Sequence, residues 1–394
     1  MTPELARADR AAAVRDAACS WHRAGVLDQA ALAAVELRFP DDRVRVAPAF
    51  RGLLFFFTAF AIAGGWGFVV LLVDFKHDGV LAGLGFLAGA ALAGLTEIQL
   101  DNMRRRQGGT EEATSLAAVG LLLGAVGWAL VSEHALHLRE GWPVFYAFAA
   151  ALLAAAAWRW GYPLYALAAA AAVLTALAWL PAGRALWIVL PLAAAPALLR
   201  LSRSPHLPPA HRSSATAALV MALAGLYLAV HVGSWAGQVV ERLAGRHPAP
   251  PPHSGLAWWS ASAATTLVPV FLLAWGLRRR NLALLVTGCA AAVASAATLP
   301  HYIHLGPTWL LLAAGGALLI ALVLALWRYL ESAPGGERNG FTAAPLFADL
   351  HGQDVLAAGA TALLLPAEPR DLSEDQQYAG GGGRSGGAGA TTDF

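Results

Sequence analysis

Hydrophobic positions along this chain form long unbroken runs, and the short segments between them carry nearly all of the charge. The runs show no alternation of apolar and polar residues, so each is predicted to be a helix and not a strand. About 20 residues of helix cross the roughly 30 Å hydrocarbon layer of a membrane and satisfy their own backbone hydrogen bonds there. The pattern predicts ten spans: residues 52–73, 80–98, 114–131, 142–157, 161–180, 185–199, 215–234, 256–277, 281–299 and 308–327.

The sixth run, 185–199, leaves two alternatives open. It is short and contains Pro191 and Pro196, and proline interrupts the hydrogen bonds of a helix interior. The run either crosses the membrane or forms a broken, re-entrant segment. If it fails to cross, every later loop changes side.

Composition supports the same class of protein. The chain is 58% hydrophobic and only 13% charged, with a mean hydropathy of +0.55. Its two cysteines, Cys19 before the first span and Cys289 inside a late one, would lie in different environments and are not expected to pair. We predict an all-α fold, a polytopic integral membrane helical bundle over residues 52–327.

Basic residues between the runs indicate sidedness, because cytoplasmic loops carry an excess of Lys and Arg. With the N-terminus inside, the cytoplasmic side receives sixteen: Arg38, Arg43, Arg45, Arg51, Arg104, Arg105, Arg106, Arg159, Arg200, Arg203, Arg212, Arg278, Arg279, Arg280, Arg328 and Arg338. The other side receives five: Lys76, Arg139, Arg184, Arg242 and Arg246. We therefore expect both ends in the cytoplasm, in a multi-pass protein of a bacterial inner (cytoplasmic) membrane.

Residues 1–45 are predicted to form a small cytoplasmic helical hairpin. Thr2 is the expected N-cap of the first helix and Gly25 its terminator, while Asp28 caps a second helix that stops before Pro40. Two interpretations of the hairpin are a helix-turn-helix DNA reader and a docking element. About 40 residues bury too little apolar surface to fold alone. Docking to a membrane-protein partner, or self-association, is therefore favoured, and no nucleic-acid partner is expected.

The C-terminal residues after the last span divide into two predicted parts. Residues 328–370 form a cytoplasmic segment with a short apolar helix over 355–365, which is too short to span a membrane. Residues 371–394 are rich in glycine and are predicted to be a disordered tail.

Histidines concentrate on the predicted non-cytoplasmic side. The stretch SEHALHLREGW, between spans three and four, places His134 and His137 three residues apart beside Glu133, and PHYIHLGP repeats this spacing with His301 and His304. Residues at such spacing share a helix face, and imidazole with carboxylate suits Zn or Cu(II). The sequence alone does not establish that the two loops lie close together. Ordinary interfacial hydrogen bonding is therefore favoured over the metal site and over a pH-sensing face.

Charges inside the spans are nearly absent, and Glu97 is the one candidate for an intramembrane polar residue. It lies near the cytoplasmic end of span two, where it serves either as a proton relay or as the partner of a cation at the interface. Gly85 and Gly89 in the same span predict close helix packing. The glycines of AGGWG, residues 63–67, indicate either an unwound first span or close packing.

The stretch SWHRAGVLDQAALAAV contains Trp21, Ala24, Gly25, Val26 and Leu27. This Trp-x-x-Ala-Gly pattern, followed by two aliphatic residues and a capped helix, resembles the opening of a bacterial family of multi-span membrane proteins with a domain of unknown function. The resemblance extends to about residue 180 through the Arg triplet and WALVSEHALHLREGWPVFYAF. It departs at DFKHDG, and the Gly-rich tail is outside it. The resemblance implies an architecture but no activity, cofactor or catalytic residue.

The sequence holds no nucleophile elbow, phosphate loop or HExxH motif, so we expect no enzymatic activity and no catalytic residues. A membrane transferase using Arg242, Arg246 and the histidines is a weaker alternative. Two functions remain open. The first is a non-enzymatic scaffold or envelope-associated membrane component with a His-rich outer face. The alternative is a small-solute transporter of the drug/metabolite type with five-plus-five inverted repeats. Spans one and six would correspond in such repeats, and each contains helix-breaking residues: the Gly cluster in span one and the prolines in span six.

Overall fold

The computed structural model of the chain describes residues 1–23, 25–40, 43–73, 78–132, 141–246, 254–279, 281–302, 308–332, 337–338 and 341–342. Nearly all of these residues are helical. The N-terminal pair is α1 (Pro3–Arg23) and α2 (Gln29–Arg38). The helices that follow are α3 (Pro48–Leu72), α4 (Asp78–Glu97), α5 (Thr110–Ser132), α6 (Gly141–Trp160), α7 (Pro163–Ala178), α8 (Gly183–Arg203), α9 (Pro209–Val230), α10 (Val232–Gly237), α11 (Val239–Leu243), α12 (Leu256–Arg279), α13 (Leu282–Tyr302) and α14 (Thr308–Glu331).

Two smaller elements complete the described chain. A π-helical turn, Ile98–Asn102, extends α4 at its C-terminal end. Strands β1 (Glu337–Arg338) and β2 (Phe341–Thr342) form one short antiparallel pair. The predicted apolar helix at 355–365 and the tail at 371–394 lie outside the described residues.

The helix signals read from the N-terminal sequence are confirmed. Thr2 Oγ1 accepts a hydrogen bond from the backbone N–H of Leu5 at 3.3 Å. Gly25 follows α1 with φ +72°, the left-handed conformation that glycine adopts readily at the end of a helix. Asp28 Oδ1 accepts from the N–H of Ala31 at 2.7 Å, which caps α2. Local side-chain chemistry therefore sets the turn between α1 and α2.

Among the described residues, eight helices are long and apolar enough to cross a membrane: α3, α4 with its π-helical turn, α5, α6, α8, α9, α12 and α13. Helix α8 is one continuous helix of 21 residues with Pro191 and Pro196 inside it, so the predicted sixth run is neither short nor broken. Helix α7 is apolar but has only 16 residues. The chain is therefore an all-helical multi-pass membrane protein by length and composition, with eight of the ten predicted spans supported in this way.

Neighbouring helices pair in sequence order, and α9 lies at the centre. The pairs α4–α5, α6–α7, α8–α9 and α12–α13 make extensive contact, and α9 also touches α1, α7, α12 and α13. Gly89 explains the close approach of α4 to α5, because a Cβ there would lie 2.8 Å from Leu122 Cγ. The small-residue packing predicted for span two is confirmed.

The glycines of AGGWG have neither of their predicted roles in the described chain. Helix α3 is continuous across them, so the span is not unwound. A Cβ added at Gly64, Gly65 or Gly67 would meet no atom within 4 Å. The three glycines lie on helix surface that other described residues do not cover.

The contacts place the helix ends in two groups. We call the group beside α1 the proximal end, and the group that includes the start of α6 and the end of α7 the distal end. The proximal end carries α1, and there Arg10 Nη2 donates to the carbonyl of His206, between α8 and α9, at 3.3 Å. At the distal end, the rings of Trp142, which begins α6, and Trp179, which follows α7, stack with centroids 6.0 Å apart. Helix α7 therefore runs between the two ends despite its length.

The C-terminal end predicted for the seventh span, residue 234, is wrong. Helix α9 stops at Val230, because His231 has extended backbone angles (φ −68°, ψ 132°) and its side chain accepts a hydrogen bond from Gly233 N. A separate short helix, α10, then begins at Val232. Hydropathy alone could not reveal this break, since the residues on both sides of it are apolar.

Candidate functional site: two arginine centres and a hydroxyl cluster

The loop that carries the arginine triplet is folded tightly against the segment preceding α3. Val44 N donates to the carbonyl of Arg104 at 2.9 Å, and Arg106 N donates to the carbonyl of Val44 at 3.1 Å. Gly109 has φ +88°, and a Cβ there would lie 2.2 Å from the carbonyl oxygen of Arg51. Only glycine fits this position. The loop therefore holds the side chain of Arg106 in a fixed place.

Arg106 joins the N-terminal hairpin to the membrane helices. Its Nε and Nη2 donate to the two carboxylate oxygens of Asp9 on α1 at 3.2 and 2.9 Å, and its Nη1 donates to the carbonyl of Trp160 at 2.8 Å. The guanidinium carbon lies 4.9 Å from the centre of the Tyr162 ring. We call Arg106, Asp9, Trp160 and Tyr162 the proximal arginine centre.

Burial decides the electrostatics of this centre. The Arg106 and Asp9 side chains are only 5% and 9% exposed. Burial alone would lower the pKa of Arg106, but the adjacent Asp9 carboxylate outweighs it, and the pKa is raised above its ordinary value. Burial also raises the pKa of the Tyr162 hydroxyl. The Arg106 guanidinium therefore stays charged and the phenol neutral at any physiological pH.

Glu97 also lies at the proximal end, in the last turn of α4. It pairs with Arg159, and its Oε1 accepts a hydrogen bond from Trp160 Nε1 at 2.9 Å. Asp101 lies 3.4 Å from the same Arg159 nitrogen. All three charged side chains keep roughly a third of their surface exposed, at 31–39%. These contacts favour the cation-partner interpretation of Glu97 over a proton relay at mid-depth.

Arg184, at the start of α8, forms a comparable centre at the distal end. Its Nε and Nη2 donate to the two oxygens of Glu241 on α11 at 2.9 and 2.6 Å. Nη1 donates to the carbonyl of Ala229 at 2.8 Å and Nη2 to that of Ser234 at 3.2 Å. The guanidinium carbon lies 5.1 Å from the Trp235 ring centre. We call these residues the distal arginine centre.

The distal centre holds the short helices that follow α9. Hydrogen bonds from Arg184 lower the pKa of Glu241 below its ordinary value, and burial opposes the effect only in part. Arg246 Nη2 donates to the carbonyls of Ala178 and Leu180 at the end of α7, the second bond measuring 3.1 Å. Arg246 is therefore held against the end of α7, whereas Arg242 is exposed.

A third polar group lies between α9, α12 and α13, where Pro269 alters the backbone of α12. Proline has no N–H, so the carbonyl of Thr265, four residues earlier, lacks its helical partner. Ser295 Oγ donates to this carbonyl at 2.6 Å, and the Tyr227 hydroxyl lies 2.7 Å from Ser295 Oγ. The proline thus creates a polar acceptor that a neighbouring helix satisfies.

The break between α9 and α10 is satisfied by the same helices. Val232 N, which has no helical acceptor, donates to Thr265 Oγ1 at 2.8 Å. His231 Nδ1 accepts from Gly233 N, so its Nε2 carries the proton and donates to Thr298 Oγ1 at 2.9 Å. This hydroxyl cluster consists of Tyr227, His231, Thr265, Ser295 and Thr298.

The proposed metal residues fall mostly on chain that the structure does not describe. His134, His137, His304 and Glu133 lie outside the described residues. His301 is described and is exposed in the last turn of α13, with its ring centre 5.0 Å from that of Tyr302. Within the described ranges, no group of three or more His, Cys, Asp or Glu side chains is placed to bind a metal. Convergence of the two histidine pairs on Zn or Cu remains a prediction.

Apolar helices tied together at both ends by buried or half-buried arginine pairs define an α-helical multi-pass membrane protein. Comparison with known proteins adds no closer assignment, because no protein-family model, no curated protein and no solved structure matches the chain. The resemblance carried by the Trp-x-x-Ala-Gly pattern therefore stays a prediction.

Proposed function

We propose that this protein is a non-enzymatic scaffold of a bacterial inner membrane that assembles with a second copy of itself through its N-terminal hairpin. In this proposal the chain crosses the membrane ten times, and the proximal end faces the cytoplasm. The alternation of helix ends between proximal and distal groups supports an N-in, C-in arrangement, as does the concentration of arginine at the proximal end.

One observation carries the proposal: α1 is held to the bundle at a buried ion pair, while the hairpin leaves large apolar side chains uncovered. Leu5 and Ala18 on α1 are each only 1% exposed, so one face of the helix is packed. Trp21 is 55% exposed and Leu37 is 84% exposed, at a place outside the apolar spans. Exposed apolar groups on a rigid, membrane-proximal element are typical of an association surface.

The test is the oligomeric state of the purified protein in mild detergent, measured by size-exclusion chromatography with light scattering. The parent is expected to be a dimer or larger, and the Trp21→Ser/Leu37→Ser variant a monomer. Leu256→Ser is the matched control, because Leu256 is 88% exposed at the opposite end. A monomeric parent, or a double variant with the parent's mass, would contradict the proposal.

A small-solute transporter is the second candidate, and the hydroxyl cluster is the observation that favours it. Transporters place their ligand sites at discontinuous helices, and the break between α9 and α10 lies beside the hydroxyl groups of this cluster. The cavities described here do not follow the predicted repeat: one lies among α3, α4 and α5 and the other among α6 to α9, and neither lies between α3 and α8. These two cavities therefore give no support to a transport pathway between α3 and α8.

Thiol accessibility separates the two candidates. Ser295→Cys, in a background with Cys19→Ala and Cys289→Ala, is treated with a water-soluble thiol reagent. The scaffold predicts protection, whereas a transport pathway predicts labelling that a substrate changes. His301→Cys is the positive control, because His301 is exposed at the distal end.

A further inference from the structure

A cavity of about 560 Å³ lies among α6, α7, α8 and α9. It exists because small side chains line all four helices, including Ala154, Ala170, Ala194 and Ala218. Its volume is in the range of sites that hold small molecules, roughly 300–1,000 Å³. A cavity with such walls has no groups to hold water, so its occupant must be apolar over most of its length.

One end of this cavity is polar. His211 and Ser214 line it near the start of α9, three residues apart and therefore on one helix face. Ser214 is 7% exposed, and its Oγ is buried with no hydrogen-bond partner. His211 Nε2 lies 3.0 Å from the carbonyl of Trp158, an acceptor, so Nε2 carries the proton and the unpartnered Nδ1 is a free acceptor. The two side chains can bind a polar group at the end of an apolar chain.

The charge around this polar end is positive. Arg200, Arg203 and Arg212 flank it in sequence, and no Asp or Glu occurs between Glu140 and Glu241. Three of the acidic residues at the proximal end already have arginine partners. Asp9 binds Arg106, and Glu97 and Asp101 lie against Arg159. A ligand entering from the proximal interface therefore meets unmatched positive charge.

We propose that the cavity binds one acyl chain of an anionic glycerophospholipid. The acyl chain lies between the alanine walls, the ester or glycerol oxygens bind Ser214 and His211, and the phosphate lies beside the arginines of the α8–α9 turn. Basic pockets between membrane helices recognise anionic headgroups in this way. The site shares no residue with the arginine centres or with the exposed hairpin residues Trp21 and Leu37, so the proposal stands without the scaffold function.

The test is photocrosslinking of the full chain in vesicles that contain a trace of lipid with a diazirine in its acyl chain, followed by mass-spectrometric mapping of the adducts. Phosphatidylglycerol should label peptides of α6 to α9, and phosphatidylcholine should label them more weakly. Ala218→Phe fills the cavity and should remove most of these adducts. Ala194→Leu, on α8, gives a second test if Ala218→Phe does not fold. Ala290→Phe, at an exposed position of α13, is the control and should label like the parent.

Headgroup recognition has its own variants. Arg212→Gln should weaken phosphatidylglycerol labelling about fivefold, the effect of roughly one basic residue at an anionic surface, while leaving phosphatidylcholine labelling unchanged. Diazirine-labelled oleate distinguishes a free fatty acid from a phospholipid as the source of the chain and should label more weakly than phosphatidylglycerol. Equal labelling of Ala218→Phe and the parent, equal labelling by the two phospholipids, or stronger labelling by oleate would overturn the proposal.

Discussion

The proximal and distal arginine centres are built alike, although they lie at opposite ends of the bundle and share no residue. Each has one arginine with a two-point carboxylate partner, at least one backbone carbonyl and an aromatic ring. Each ties a segment that does not span the bundle to helices that do: α1 at one end, and α10 with α11 at the other. This similarity indicates that arginine suits places where several helix ends meet, because its five donors in one plane can bind several groups at once.

The two centres differ in burial. The side chains of Arg106 and Asp9 are 5% and 9% exposed, whereas those of Arg184 and Glu241 are 13% and 22% exposed. Loss of one partner leaves a buried charge unpaired, and the free-energy penalty grows as water is excluded. We therefore expect the proximal centre to tolerate substitution less well than the distal centre.

Asp9→Ala gives the largest expected effect. It leaves the Arg106 guanidinium buried without its counter-charge, and removing one partner of a buried pair costs about 3–5 kcal/mol. The measurement is the free energy of unfolding in detergent, followed by circular dichroism. Asp16→Ala is the control, because Asp16 is exposed on the same helix. Equal stability of the two variants would show that the proximal pair does not hold α1.

Glu241→Gln should have a smaller effect on the same measurement. The amide keeps one acceptor oxygen for Arg184 but loses the charge. Because water reaches part of this site, the cost should not exceed that of one charge-assisted hydrogen bond, about 1.5–3 kcal/mol. Arg242→Gln, one residue away and exposed, should leave stability unchanged. A larger loss for Glu241→Gln than for Asp9→Ala would reverse the ranking based on burial.

The pH dependence of the free energy of unfolding gives a further test of the distal arginine centre. The pKa of Glu241 is lowered in the folded protein, so its contribution is fully present above the pKa of the unfolded chain and is lost as pH falls through the folded pKa. The stability difference between the parent and Glu241→Gln should be constant near neutral pH and shrink below about pH 4.5. A difference that grows on acidification would contradict the assigned ion pair.

The rings over the two guanidinium groups give the smallest expected effects. Trp235→Leu removes the ring above Arg184 and should cost about 0.5–1 kcal/mol, as cation–π contacts do at sites that water reaches. Trp259→Leu is the control, because Trp259 is 60% exposed at the start of α12. Equal losses for the two variants would indicate a general effect of tryptophan removal.

Sequence reasoning predicted features whose causes are local. The caps at Thr2, Gly25 and Asp28 depend on residues a few positions away, and the helix runs depend on hydropathy alone. The arginine centres were not predicted, because Asp9 and Arg106 lie 97 positions apart in the chain and each alone is an ordinary surface charge. The hydroxyl cluster was also not predicted, because its residues come from separate helices. In addition, serine and threonine in an apolar helix usually bond to their own backbone.

The sidedness of the chain underlies the whole account, and cysteine labelling in intact cells tests it most directly. Single cysteines are introduced at Asp16, His134 and His301 in a background with Cys19→Ala and Cys289→Ala. A membrane-impermeant maleimide should label residues 134 and 301 from outside, and residue 16 only after the cells are opened. Labelling of residue 16 in intact cells, or of residues 134 and 301 from different sides, would contradict the account.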